Sequence, residues 1–79
     1  MISPHIVFRN FRKIFGVRSY AHVAELANWD ASHVSKMRSG KVRISPKFFL
    51  RLCIAKNWTP QQMSEASGIP LDYFRKDEL

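Results

Sequence analysis

Residues 19–41 read SYAHVAELANWDASHVSKMRSGK, and they are the most informative part of the sequence about the fold. This stretch contains two short segments with apolar residues at helical spacing, residues 19–27 and residues 31–38. Asp30 is a residue type that caps the start of a helix, and Asn28 tolerates the positive φ that a tight turn requires. The stretch therefore predicts two helices joined by a turn of three or four residues.

The second predicted helix has one apolar side and one small, polar side. At about 100° per residue, Val34 and Met37 fall together and are expected to face inward. The other side combines small hydroxyl side chains with one lysine and has no acid after the cap; it carries Ser32, Ser35, Lys36 and Ser39, with Ala31, His33 and Arg38 on its flanks. Hydroxyls and a lysine can donate to base edges, and an alanine can meet a thymine methyl group. Such a face fits the major groove of duplex DNA.

The first predicted helix, capped by Ser19, is expected to pack closely against the second. Ala24 lies in its middle, where a small side chain allows the two helices to cross at short range. The residues expected to face inward from this helix are Val23, Leu26 and Ala27. Trp29, Val34 and Met37 are expected to hold the second helix in place.

Three further helices are predicted around this pair. The first, residues 3–15, is capped by Ser3, ends at Gly16, and has an apolar stripe of Val7, Phe8, Phe11, Ile14 and Phe15 opposite Arg9, Arg12 and Lys13. The fourth opens with Ser45-Pro46 and has an apolar surface of Phe48, Phe49, Leu52, Cys53 and Ile54. The fifth opens with a Thr59–Gln62 capping box, turns Met63 and Ala66 inward and ends at Gly68. The expected fold is therefore all-α, with five helices in residues 1–68 and a tail in residues 69–79.

The composition excludes several classes of protein. A chain of 79 residues holds one domain, and its single cysteine can form neither an internal disulfide nor a thiolate metal site. His5, His22 and His33 share no ligand spacing, and no nucleophile elbow or glycine-rich loop occurs, so we expect no metal, no cofactor and no enzyme activity. Without a membrane span or a signal-peptide pattern, the expected location is the cytoplasm.

The charge of +7 is unevenly distributed along the chain. Residues 1–64 carry eleven Lys and Arg against only Glu25 and Asp30, whereas residues 65–79 carry four acids against two bases, so the net charges are +9 and −2. A basic body suits a polyanion. Acidic lipid would fit the charge equally well, and charge alone does not choose between them.

Residues 26–41, LANWDASHVSKMRSGK, resemble the helix-turn-helix of the lambda-repressor-like, Cro/XRE family. The resemblance depends on two features: Val34-Ser35-Lys36 followed by a hydrophobic residue, and the pair Gly40-Lys41. It extends over residues 8–63, where the five predicted helices follow one another in the same order as in the family. The resemblance implies a bacterial or phage regulator that binds an inverted-repeat operator as a homodimer, with the third helix in the major groove. The sequence departs from the family at Tyr20, Asn28 and Trp29, where glutamine, glycine and a smaller aliphatic residue are usual, so no operator sequence is carried over.

The interpretation that follows is a sequence-specific transcriptional regulator of double-stranded DNA, more specifically a repressor. The residues expected to read bases are Ala31, Ser32, Ser35, Lys36 and Ser39, the first four of which match base-facing positions of the family. The residues expected to contact the DNA backbone are Ser19, His33, Arg38, Lys41 and Arg43, and the resemblance implies the same role for Tyr20 at the start of the second helix. Four apolar residues of the tail are expected to contact a second copy, namely Ile69, Leu71, Tyr73 and Phe74, unless they fold back onto their own core.

Other interpretations stay open at this point. An antitoxin would use the short tail to hold a toxin, and a repressor could meet an antirepressor as its protein partner. A helix-turn-helix used only for protein interaction would not bind duplex DNA. A platform that stacks single-stranded bases is disfavoured, because the aromatic residues fall at core spacing.

Overall fold

Five α-helices and a short 3-10 helix make up the computed structural model, which describes residues 2–75 and 77–79. The helices are α1 (Pro4–Phe15), α2 (Tyr20–Leu26), α3 (Ala31–Arg38), α4 (Pro46–Lys56) and α5 (Pro60–Ser67), and the 3-10 helix is Leu71–Tyr73. No strand occurs in these residues. The all-α class and the number and order of the helices are therefore as predicted.

Side-chain caps begin four of the five helices. The Ser19 hydroxyl accepts a hydrogen bond from the His22 N–H at 3.1 Å, and the Asp30 carboxylate accepts one from the Ser32 N–H at 2.9 Å. Ser45 caps α4, and Thr59 forms the predicted capping box of α5. Ser3 stands at the start of α1 but makes no capping hydrogen bond through its side chain, so the prediction that it caps this helix is wrong. Helix α1 instead begins with a proline in its first turn, whose fixed φ already suits a helix.

The turn between α2 and α3 depends on a left-handed residue, as predicted. Asn28 has φ 51°, a conformation that asparagine tolerates better than most residues. The Trp29 N–H donates to the Ala24 carbonyl at 2.8 Å, which closes the end of α2. The Arg51 guanidinium of α4 donates to the Asn28 carbonyl at 3.0 Å. The chain therefore reverses within four residues, and α3 lies against α2.

The core is centred on Phe48, which is completely buried at the start of α4. Its ring stacks on Phe8 of α1 at 5.7 Å between centroids and meets the edges of Phe11 and Trp29 at 6.1 and 5.8 Å. Ala24 is 1% exposed, as expected for a small residue where two helices meet. The other core residues are Val7, Val23, Ala27, Val34, Met37, Ile44, Phe49, Leu52, Cys53, Met63, Ile69 and Phe74.

Three residues that were predicted to face inward are exposed: Leu26, Ile54 and Ala66. In α2 and α5 the inward residues are separated by four positions, Val23 with Ala27 and Met63 with Ser67. Leu26 and Ala66 come three positions after Val23 and Met63, and the helical repeat rotates a residue at that position away from the inward side. Ile54 lies one position beyond the inward face of α4 and is 78% exposed for the same reason. The inward-facing side of each of these helices is narrow, so an apolar residue type does not by itself show whether the residue faces the core or the solvent.

The tail folds back onto the core. Ile69 and Phe74 are 0% and 4% exposed, and the Phe74 ring lies 5.0 Å from that of Phe49. The Tyr73 hydroxyl accepts a hydrogen bond from the Ile44 N–H at 2.8 Å, while Leu71 stays partly exposed. These two side chains therefore complete the chain's own core, which is the alternative that the sequence left open. The contact of Ile69, Leu71, Tyr73 and Phe74 with a second copy stays a prediction.

Cys53 is expected to be unreactive in the native protein. It is 3% exposed, and burial raises the pKa of its thiol from 9.0 to about 11. Ellman's reagent at about pH 8 should label the protein only in denaturing guanidinium chloride, since the thiolate is the reactive form. The folded thiol holds its proton more tightly than the unfolded one, so its contribution to stability is present below about pH 9 and is lost towards pH 11. Fast labelling of the native protein would contradict this burial.

Candidate nucleic-acid interface

The exposed side of α3 brings the five predicted base-reading residues together. Ala31, Ser32, Ser35, Lys36 and Ser39 are all exposed. Val34 and Met37, on the other side of the helix, are 1% and 0% exposed and anchor it to the core. Helix α3 itself contains no acid, and the carboxylate of its first flanking residue, Asp30, is engaged as the helix cap. The result is a surface of small polar side chains with one lysine, which we call the α3 face.

Ser39 differs from the other hydroxyls of the α3 face. It follows the last residue of α3, and its Oγ donates to the Lys36 carbonyl at 3.1 Å. The same carbonyl accepts from the Lys41 N–H at 2.9 Å, which closes the turn after the helix. The Ser39 hydroxyl in this arrangement can accept a hydrogen bond from a ligand but has already used its proton.

On one flank of the α3 face, His33 is held by Trp29. The Trp29 Nε1–H donates to His33 Nδ1 at 2.8 Å, and the two rings stack at 5.9 Å. Since Nδ1 accepts, a neutral His33 carries its own proton on Nε2. Trp29 therefore has two roles, as a wedge against Phe48 and as the partner that orients the His33 ring.

On the other flank, Tyr20 and Arg38 meet Arg12, which was not among the predicted DNA contacts. The Arg38 guanidinium lies 4.5 Å from the centre of the Tyr20 ring, and that of Arg12 lies 5.0 Å from it. Arg12 also donates to the Arg18 carbonyl at 3.1 Å. In the sequence, Arg12 is only one of several cations on the polar side of the first helix. Its partners are 8 and 26 positions away, and no periodic pattern links them.

The loop after α3 contains two basic residues in different surroundings. Lys41 is exposed, whereas Arg43 forms an ion pair with Glu78 at 3.3 Å and donates to the Tyr73 carbonyl at 3.0 Å. A hydrogen bond from the Arg75 N–H and the neighbouring Arg43 lower the pKa of Glu78, so this carboxylate is charged at neutral pH. Arg43 is therefore paired with the tail in this structure, and its expected contact with the DNA backbone stays a prediction.

Ser19 and Arg51 are engaged inside the protein. The Ser19 hydroxyl caps α2, although the residue itself is exposed. Arg51 donates to the carbonyls that end α2 and lies 5.2 Å from the Trp29 ring centre, so it stabilises the turn. The sequence does not indicate that Arg51 stabilises the turn. Its two acceptors, the carbonyls of Ala27 and Asn28, lie 24 and 23 positions earlier in the chain and meet it only after folding.

Most of the positively charged side chains around the α3 face form no ion pair within the described residues. In residues 2–75 and 77–79 the ion pair between Arg43 and Glu78 is the only one. Arg12, Lys36, Arg38 and Lys41 are thus not neutralised within the described part of the chain. The same part contains no group of three or more His, Cys, Asp or Glu side chains that could bind a metal ion.

Comparisons with known proteins found no family model, no curated protein and no solved structure that matches this chain. Within the described residues, no helix combines the length and the apolar character that crossing a lipid bilayer requires.

Proposed function

We propose that this protein binds double-stranded DNA sequence-specifically and regulates transcription, as a repressor. In this proposal α2 and α3 form a helix-turn-helix, and α3 enters the major groove with the α3 face towards the bases. The observation that carries it is the α3 face itself, an exposed helix side of small polar groups without an acid after the cap. The cations beside it form no ion pair within the described part of the chain.

The dimensions of duplex DNA explain why such a face is suitable. The major groove is about 12 Å wide and admits one helix, whose diameter with side chains is about 10–12 Å. Short side chains such as Ala31 and Ser35 let the helix backbone approach the base edges. A helix in the groove has a phosphate strand on each side, so its flanks need hydrogen-bond donors and positive charge. His33 on one flank, and Tyr20 with Arg38 on the other, meet this requirement.

The proposal includes pairing of two copies on an inverted repeat. Two half-sites about 34 Å apart would each receive one α3, which doubles the contact with DNA. Because Ile69 and Phe74 are buried in the chain's own core, the proposal assigns the contact between copies to other side chains. Sedimentation equilibrium with and without a selected duplex tests this part directly.

The experiment that tests the function is a salt titration of duplex binding, followed by selection from a random duplex pool. Fluorescence anisotropy of a labelled duplex should show log K falling linearly with log salt, with a slope of about −2 to −4 for two to four phosphate contacts per protomer. The selection should enrich a two-fold symmetric sequence. A protein-interaction module would show neither behaviour, and an antitoxin would bind duplex DNA but would also bind a toxin through its tail.

Lys41→Ala is expected to reduce the magnitude of the salt slope by about one, and Arg43→Ala is expected to reduce it by distinctly less. Lys41 is free to approach a phosphate, whereas Arg43 would first have to leave the carboxylate of Glu78. The measurement is the same anisotropy titration on a mixed-sequence duplex. Equal losses of slope would show that the tail releases Arg43 when the protein binds DNA.

A further inference from the structure

We propose that Arg12, Tyr20 and Arg38 together bind one phosphodiester of the DNA backbone, and we call these three residues the phosphate seat. The inference rests on the proposed function and extends it to α1, which has no place in the α2–α3 pair. It assigns a ligand-binding role to Arg12 and gives Tyr20 a role as a platform.

The phosphate seat is assembled from three helices around one aromatic ring. Tyr20 is the first residue of α2, Arg38 is the last of α3, and Arg12 comes from the final turn of α1. The two guanidinium carbons lie 4.5 and 5.0 Å from the ring centre. Contact with the ring restricts both long side chains before any ligand arrives, which reduces the entropy lost on binding.

The positive charges in the phosphate seat favour binding of an anion. Two guanidinium groups share one ring, and neither forms an ion pair with a carboxylate in residues 2–75 and 77–79. The Nε atoms of Arg12 and Arg38 are shielded from solvent and have no hydrogen-bond partner. Both positive charges lie within 5.0 Å of the centre of one ring, and an anion bound between them offsets their mutual repulsion. A guanidinium has five N–H donors, so unused donors remain on both residues.

The position of the phosphate seat identifies which anion it receives. Arg38 lies on the flank of the α3 face, and a strand of phosphates must run along that flank when α3 occupies a major groove. The two non-bridging oxygens of one phosphodiester can each accept from a different guanidinium. We therefore assign a backbone phosphate of duplex DNA as the ligand.

The test compares Arg12→Gln with Arg9→Gln in salt titrations on a mixed-sequence duplex. Both changes remove one positive charge from α1, but Arg9 is exposed and lies outside the phosphate seat. Arg12→Gln should reduce the magnitude of the salt slope by about one and weaken duplex binding roughly tenfold. Arg9→Gln should leave the slope nearly unchanged. Thermal unfolding of both variants checks that each one folds.

The role of the ring is tested separately with Tyr20→Phe and Tyr20→Leu. Phenylalanine keeps the platform and should keep the salt slope, whereas leucine removes it and should behave like Arg12→Gln. If Tyr20 only packs against α1, Tyr20→Leu will lower the melting temperature and leave the salt slope at the wild-type value. That result would overturn the platform role.

The possible failures are distinguishable. If the wild-type protein binds duplex with the expected salt slope but Arg12→Gln and Arg9→Gln behave alike, the phosphate seat is overturned and the proposed function stands. Absence of salt-dependent duplex binding by the wild type overturns the proposed function and the seat with it. The same site could instead bind free phosphate. A titration with inorganic phosphate, followed by NMR through the arginine Nε–H resonances, tests this alternative. Saturation by inorganic phosphate without any effect of Arg12→Gln on duplex binding would assign the seat to a free anion instead.

Discussion

Replacing Phe48 by alanine is expected to lower the free energy of unfolding by about 3–5 kcal/mol, the largest effect of any substitution considered for this chain. The ring is fully buried and contacts Phe8, Phe11 and Trp29, so its removal leaves a cavity where α1, α4 and the α2–α3 turn meet. A domain of 79 residues has a total stability of only about 4–12 kcal/mol. Thermal unfolding followed by circular dichroism should therefore show the midpoint reduced by about 15–30 °C.

Ile54→Ala is the matched control for Phe48→Ala. It also shortens an apolar side chain of α4, but Ile54 is 78% exposed, and its removal should change stability by less than about 0.5 kcal/mol. Comparable losses in the two variants would mean that Ile54 is buried in solution, for example against a second copy. A small loss for Phe48→Ala would contradict the central position of its ring.

Lys36→Ala is expected to weaken binding to a selected operator by about 5- to 150-fold and to relax the base preference at one or two positions. Lys36 is the only cation among the exposed residues of the α3 face, and an ammonium group there can donate to guanine O6 and N7. Its carbonyl, not its side chain, is engaged in closing the turn to Lys41, so alanine should leave the helix end intact. Repeating the selection from a random duplex pool with the variant measures the preference directly.

Lys13→Ala is the control for this variant, because Lys13 is an exposed lysine on α1. It should reduce affinity slightly and equally on operator and random duplex, since it changes only the net charge. If Lys36→Ala reduces both affinities by the same factor, Lys36 contacts a phosphate and reads no base. The wider proposal would survive that outcome, but the reading of bases would then depend on the serines of the α3 face.

Features that depend on near neighbours in the chain could be predicted from the sequence. The caps at Ser19, Asp30 and Thr59 join groups two or three residues apart, and the left-handed turn at Asn28 depends on that residue alone. The two sides of α3 follow from the helical repeat, which places Val34 and Met37 together whatever surrounds them. These signals were sufficient to predict five helices and the residues of the α3 face.

The contacts between side chains that are distant in the sequence become visible in the folded chain and not before. Glu78 pairs with Arg43 across 35 positions, and Arg12 shares the Tyr20 ring with Arg38 across 26 positions. Every arginine has the same charge and the same donors, so its sequence context does not reveal whether it is neutralised, stacked or free. The burial of Ile69 and Phe74 and the exposure of Leu26 and Ile54 have a related cause. Apolar residue types specify that burial is favourable, but the narrow contact between packed helices decides which of them are buried.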